Sequence, residues 1–443
     1  MKRAGFVLIL MLFLPLFLIG QRYYLPAGKP SVKVKFELVN NLIIVPIEVN
    51  GAELSFILDS GVGTPILFNL SDQDSIQINQ VSEVTIKGLG QGEDAKALRS
   101  RGNHFKIGGV QNQNQQLYVV MDKSLNFSPS LGVPVHGIIG YDLFQNFAVE
   151  ISYTGNFIKF HDPDKYKHKK GKKFRTFPLQ LDHKKAYVKG AVVLEDKEEI
   201  PVKLLVDTGS SDAVWLFTDA EKGLELPEKN YRDFLGQGLS GAIYGHRTKV
   251  NSFKIGDFEL RDAKAAFPDM ETFSALKNLG DRNGSVGSEI LKRFNMVFDY
   301  PNRKVTMRKN SKFGDAFHYN MSGIDLKHNG MRYIVERIAD TNGIVVQEDG
   351  ANFGNVQILL ENKSKLSLVP EIIVSGIRAG SPSDLAGLQE GDLILAVNGK
   401  RVHQYKIQEI FKMLNEKDGK HIKVLVERAN QDVLVSFVLK KIF

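Results

Sequence analysis

The chain has 443 residues, too many for one core of ordinary size, so two to four domains is its natural organisation. Apolar residues make up 43% of it and charged residues 24%, which excludes a disordered or low-complexity chain. The absence of cysteine excludes disulfides, cysteine nucleophiles and thiolate metal sites, and the formal charge of +8 is modest for this length.

The first element is a leader. In "MKRAGFVLILMLFLPLFLIG" (1–20), Lys2 and Arg3 precede an apolar run from Phe6 to Ile19. That run is short for a membrane span, which needs about 20 residues, and it fits a cleaved signal peptide. The expected location is therefore periplasmic or secreted. Retention of the leader as an uncleaved anchor is the alternative, and membrane contact is expected only in that case. Beyond it, short runs rich in Val, Ile and Phe, broken by Gly, Asn and Asp, point to a mainly β protein.

A first unit is expected over 28–164. Two strands, "LIIVPIEV" and "AELSFILDSG", lead to Asp59, where the apolar run stops, and Gly61 lets the backbone turn sharply. A Gly-rich hairpin at 86–97 follows, then the strand "FKIGG" from Phe105. "GIIG" at 137–140 opens a short helix, and an amphipathic strand "FIKF" closes the unit. The run "KYKHKKGKK" (165–173) reads as a solvated basic linker. It lacks interleaved aromatic residues and any nucleic-acid motif, so no nucleic-acid partner is expected.

A second unit over 174–310 repeats the first. Asp207 in "VDTGSS" lies 148 residues after Asp59 in "LDSG", and "FKIGD" lies 148 after "FKIGG". "GSVGSEILKRFNMVFDY" from Gly284 lies 147 after "GIIGYDLFQNFAVEISY" from Gly137. One offset held by separate landmarks marks a duplicated lobe, because the period is far longer than a solenoid repeat.

With both acid triplets and both Gly-apolar-Gly elements in view, residues 35–310 resemble the aspartic proteases of the pepsin and retropepsin kind, in their two-lobed, single-chain form. The resemblance implies two closed β-barrel lobes whose Asp loops meet, with Asp59 and Asp207 as the catalytic pair. It implies cross-lobe hydrogen bonds from Ser60 and Thr208, and backbone N–H support from Gly61 and Gly209. Hairpins 86–97 and 234–245 become candidate flaps. The flap tyrosine of pepsin-like members is missing from the first, and Tyr244 in the second is left without that role. Two carboxyls about 3 Å apart cannot both ionise, so one acts as base towards water while the other donates a proton. No metal or cofactor is needed, and the ten histidines show no paired ligand spacing. Ser210 follows the second triplet and can hydrogen-bond the neighbouring carboxylate, whereas Val62 follows the first and cannot. Asp59 is therefore expected to hold the shared proton. Trp215 is expected in the core, lining the cleft wall.

From about 315 the repeat is exhausted. In "AGSPSDLAGLQEGDLILAVNGKRV" (379–402), Ser381 caps a short helix with Pro382 at its first position, and "NG" at 398–399 signals a hairpin. A second helix carries Ile407, Ile410, Phe411 and Leu414 on one face. This stretch resembles a PDZ domain of exported bacterial proteases, an α+β module over 315–443. Gly323, Ile324, Asp325 and Leu326 would receive a peptide tail by strand addition, although Asp325 stands where that loop has a glycine or small residue. The run at 342–362 reads as an inserted hairpin. The sequence thus points to an exported aspartic endopeptidase with a peptide or protein substrate and a PDZ groove for a peptide tail. An inactive peptide receptor and a surface scaffold on the same fold are the alternatives.

Overall fold

A computed structural model describes residues 22–443 apart from 71–75, 87, 91–93, 123–124, 196–197, 274–278, 340–343, 348–355 and 360–361. The expected leader lies outside the described residues. Among the described residues, no helix is long and apolar enough to cross a membrane.

The architecture is mainly β, with two lobes and a third domain. In the first lobe, strand Ala52–Leu58 pairs in parallel with Gly137–Ile139, which pairs in turn with Ile66–Leu67. Strand Leu42–Val49 pairs with Ala52–Leu58 on one side and, through Glu48 and Val49, with Ala95–Ile107 on the other. That second pairing closes the sheet on itself, and closure removes exposed edges. The second lobe repeats the arrangement. Ile200–Asp207 runs parallel to Gly284–Gly287, and Lys185–Val193 closes the ring onto Gly241–Ile255. The offset read from the sequence is thus a duplication of topology as well as of motifs.

The lobes are not independent bodies. Strands Ser31–Lys35, Phe157–His161 and Ala148–Ser152 of the first lobe join Phe294–Asp299, Lys304–Lys309 and Arg175–Pro178 of the second in one six-stranded sheet. The seam is antiparallel, from Ala148 opposite Asp299 to Ser152 opposite Asn295. Alternation explains why the seam is covered: in Phe157–His161 only Ile158 and Phe160 turn inward. Phe144 of the first lobe stacks on Tyr300 of the second at 5.1 Å and meets Phe298 edge-on at 5.7 Å. Burying each such ring contributes roughly 1.5–3 kcal/mol, so the interface is held as a core is. The basic segment 165–173 crosses this sheet with His168 between Thr306 Oγ1 (2.6 Å) and Asp299 Oδ2 (2.7 Å). Contact with the first lobe already begins at Tyr23, which is buried and whose N–H donates to Asn146 Oδ1.

The third domain has its own core, built from Ile324, Leu326, Ile372, Val374, Ile407, Ile410, Leu414 and neighbours. Its sheet runs in the order Ile324–Ala339, Asn362–Ile377, Leu393–Val397, His421–Arg428, Gln431–Val438. Ser381 Oγ accepts from the Asp384 N–H and caps helix Pro382–Leu385. Asn398 and Gly399 both take left-handed φ, as the hairpin signal requires. Helix Ile407–Met413 buries Ile407 and Ile410, with Leu414 buried just past its end. Within the expected inserted hairpin, Ile344–Gln347 pairs with Val356–Leu359, and the residues joining them lie outside the described set. The domain rests on the second lobe through Arg378, 5.3 Å above the Tyr231 ring, through Phe443 against Tyr231, and through Tyr319, whose hydroxyl donates to Ala265 O at 3.2 Å.

Candidate active site

Each lobe delivers its aspartate at the end of a strand locked from behind. The Asp59 N–H donates to Ile139 O at 2.8 Å, and Asp207 pairs with Gly287 in the parallel ladder. The crossing strand approaches so closely that only glycine fits. A Cβ at Gly140 would lie 1.9 Å from Asp59 O, and one at Gly287 would lie 2.3 Å from Asp212 O. The Gly-apolar-Gly elements are therefore steric requirements of the aspartate loops.

Four reciprocal hydrogen bonds then join the loops. Ser60 N–H donates to Thr208 Oγ1 (2.9 Å) and Thr208 N–H to Ser60 Oγ (3.1 Å). The two hydroxyls donate across to Val206 O (2.6 Å) and Leu58 O (2.7 Å). Both side chains are buried, so each hydroxyl is satisfied as donor and acceptor in a site without water competition. The result is a rigid pseudo-twofold platform. Upon it Gly61 N–H donates to Asp59 Oδ1 (2.7 Å) and Gly209 N–H to Asp207 Oδ1 (3.0 Å). A Cβ at Gly209 would lie 2.4 Å from Asp59 Oδ2, so each carboxyl reaches over the other lobe's loop. The two carboxyls converge on one point, since a Cβ at Gly61 would lie 3.1 Å from Asp59 Oδ1 and 3.7 Å from Asp207 Oδ1.

Two buried carboxyls so close together cannot both ionise, so the pair holds a proton. Burial, and then the charge of Asp207, push the Asp59 carboxyl up to about 8. Burial raises Asp207 as well, but the Arg282 guanidinium and the N–H groups of Gly209 and Ser210 oppose it. The asymmetry expected from the sequence has the same direction and a different cause. Ser210 acts on Asp207 through its backbone N–H, while its hydroxyl lies beside Gly287. The Val62 N–H is committed to the Asp59 main-chain carbonyl at 3.2 Å, which leaves Asp59 with one backbone donor.

Sequence reasoning missed two cations. Arg282 is buried with its Nε donating to Gly284 O (2.8 Å) and its guanidinium 5.1 Å from the Phe217 ring centre. Lys185 is half-buried, and the strand register, Tyr187 opposite Leu205, places it opposite Asp207. Burial lowers the pKa of both, and among the described residues no carboxylate forms an ion pair with either. The equivalent positions of the first lobe hold Val135, two residues before Gly137, and Leu42, opposite Asp59 by register. Aligning the two copies residue by residue would have exposed this exchange of aliphatic side chains for cations.

Both hairpins form the roof. Ser240 N–H donates to Leu89 O (2.9 Å), and Gly88 N–H donates to Ser240 Oγ (3.1 Å), so the tips touch across the cleft. Residues 87 and 91–93 of the first hairpin lie outside the described residues. Tyr244 is exposed on the outer side, 5.7 Å from Phe234, and takes no part in the site. Trp215 is buried as expected, its Nε1 donating to Asp212 Oδ2 (2.7 Å). It belongs to a cluster with Phe217, Leu235, Ile243 and Phe273, against which Leu89 of the opposite hairpin packs. In the first lobe, Ile44, Ile57, Ile66 and Val135 form the matching cluster, with Leu239 of the second hairpin against it.

In the third domain, Gly323 takes φ +81° and lies against Ser381, while Ile324 and Leu326 are buried. Asp325 lies between those two residues on the strand. Strand alternation turns its carboxyl out of the core, to the side where Asp233 and Arg247 of the second lobe and Arg378 act on it. Among the described residues no group of His, Asp and Glu side chains could hold a metal ion.

Residues 45–143 and 190–289 match the aspartyl protease family model, and residues 373–428 match the PDZ domain model. The first match falls as two segments, one in each lobe, each containing an aspartate loop and the glycine strand behind it.

Proposed function

We propose that this chain, which carries an aspartyl protease domain in two segments and a C-terminal PDZ domain, is an exported endopeptidase that cleaves internal peptide bonds with Asp59 and Asp207. The observation that carries the reading is the pair of buried carboxyls converging on the Ser60–Thr208 platform. Export rests on the leader alone.

In this mechanism Asp207, the more acidic partner, removes a proton from water as the water oxygen bonds to the scissile carbonyl carbon. Asp59 gives its proton to the carbonyl oxygen. Collapse of the tetrahedral intermediate breaks the C–N bond, with the proton now on Asp207 passing to the leaving nitrogen and Asp59 recovering its own. The hairpin tips must part to admit substrate and then close to exclude solvent. An extended substrate suits a cleft flanked by two apolar clusters.

Incubating the purified protein with a diverse peptide mixture across about pH 3 to 8 tests the reading, since coupled carboxylates change state over that span. New termini inside peptides are expected in the wild type and not in Asp207→Asn. Peptide binding without cleavage at any pH would instead make the cleft a receptor.

Arg282 supplies a second check. Its charge favours ionised Asp207, so Arg282→Leu raises the lower apparent pKa of the pair, and the acid limb of kcat/KM moves towards neutral pH. A nearby opposite charge shifts a carboxylate by about one unit or more, so activity on that limb falls about tenfold. An unmoved limb in a folded variant would remove Arg282 from this role.

A further inference from the structure

Strand Ile324–Ala339 stands at the end of its sheet, bonded to Asn362–Ile377 on one side and presenting its other edge to solvent and to the first lobe. An open edge is a template for a further strand. Across from it runs helix Ile407–Met413, and Ile324, Leu326, Ile407 and Ile410 are buried beneath the groove between the two. The groove is not empty along its length. Where the helix begins, the first lobe inserts the turn that ends its short helix Ser128–Leu131.

The fit there is tight. Gly132 takes left-handed φ (+66°), and a Cβ on it would lie 2.5 Å from Ile407 Cγ2 and 3.4 Å from His328 Nε2. The glycine thus sits between the helix and the edge strand and bridges the groove. Gln408 Nε2 donates to Leu131 O (2.5 Å), and Lys406 Nζ meets Glu37 of the same lobe at 3.0 Å. Few polar contacts hold the turn, and the Lys406–Glu37 pair is largely exposed, so the contact is one that a competing chain can displace.

We propose that the Leu131–Gly132 turn is the resident occupant of the far end of this groove, and that a peptide tail long enough to run past His328 binds only by expelling it. The proposal rests on the reading of the groove as a tail-binding site and is independent of hydrolysis. A tail anchored at Gly323–Ile324 and laid along the strand covers about 13 Å before it reaches His328, at roughly 3.3 Å per residue. About four residues fit; a longer tail collides with the turn.

The turn is wired to the catalytic platform. Ser128 Oγ accepts from Val135 N–H (2.9 Å) and from Asn69 Nδ2 (2.9 Å), and the chain then enters Gly137–Ile139. Ile139 O accepts the Asp59 N–H. A tail that lifts the turn therefore pulls on the strand beneath the first carboxyl, and by linkage the state of the cleft feeds back on tail affinity.

The cysteine-free chain allows a direct test. Gly132→Cys and Ile407→Cys, whose Cβ atoms would lie 3.3 Å apart, are introduced together into the full chain, with Asp207→Asn so that probes stay intact. The probes are fluorescent peptides of three and eight residues with an apolar C-terminal residue and a free carboxylate. The pair is expected to form a disulfide on oxidation. The oxidised protein should bind the eight-residue probe at least tenfold more weakly than the reduced protein and the three-residue probe equally well. Gln408→Ala, without the cysteines, should bind the longer probe several-fold more tightly than its parent. Failure of the disulfide to form in folded protein, or equal binding of the longer probe before and after oxidation, overturns the proposal. Binding of neither probe by the reduced protein or by Gln408→Ala overturns it together with the tail-binding reading, and leaves the hydrolytic reading standing.

Discussion

Asp207→Asn is expected to lower kcat/KM by about 10³-fold or more, and Asp59→Asn by a similar factor, while peptide affinity changes little. The general acid and general base roles each contribute on the order of 10²–10⁴-fold, and neither carboxyl can perform both without its partner. An amide keeps the shape of the side chain, so the Ser60–Thr208 platform and the apolar clusters persist. The same variants carry a stability signature. The folded chain holds a proton on Asp59 up to about 8, whereas the unfolded chain releases it in the ordinary carboxylate range. Between those limits the native state binds more protons, so unfolding free energy falls as pH rises, by at most about 1.4 kcal/mol per unit for one proton. Below the window the contribution is fully present, and above it the contribution is lost. Asp59→Asn should flatten that slope, as read from urea midpoints at pH 4 and pH 8. A wild type whose stability is level across the window would show that no shared proton exists.

Gly140→Ala is expected to destabilise the protein by about 3 kcal/mol or more and to abolish activity at once. The added methyl would stand 1.9 Å from Asp59 O and 2.5 Å from Val62 O, both main-chain atoms that have no rotamer to yield. Overpacking in a tight core costs about 1–3 kcal/mol even where side chains adjust, and here the loop carrying the carboxyl must move instead. Against a typical total of about 5–15 kcal/mol this is a large fraction. Gly314→Ala is the control, since a Cβ there meets nothing within 4 Å, and a change under about 0.5 kcal/mol is expected. Equal urea midpoints for Gly140→Ala and wild type would overturn the account of these glycines.

Much of this site was legible before any coordinates, and the reason is local. An acid at the end of an apolar run, followed by a hydroxyl and a glycine, states its own turn, and its recurrence at one offset states a duplication. The same holds for Ser381 and for the Ile407–Leu414 face, where capping and periodicity act within a few residues. The Ser210 inference reached the right carboxylate through the wrong group, because a hydroxyl and a backbone N–H at one position are indistinguishable as donors until the loop is drawn. The direction of the Asp325 carboxyl was open for a similar reason: alternation fixes that neighbours on a strand face opposite ways, and the direction of the first is settled by packing.

Alternation, caps and turn residues thus determined the elements, which depend on neighbours along the chain, while the repeat offset gave the doubled plan and the resemblance it carried pointed to the two acids. Why Asp59 is the harder carboxyl to ionise, how the six-stranded sheet fuses the lobes, that the two roofs touch, and that Gly132 stands against the helix of another domain were decided only by the tertiary structure. Coulomb energies and steric contacts depend on separation in space and on the loss of water around each group. Arg282 and Asp207, or Gly132 and Ile407, carry no mark of that nearness in the order of the residues between them.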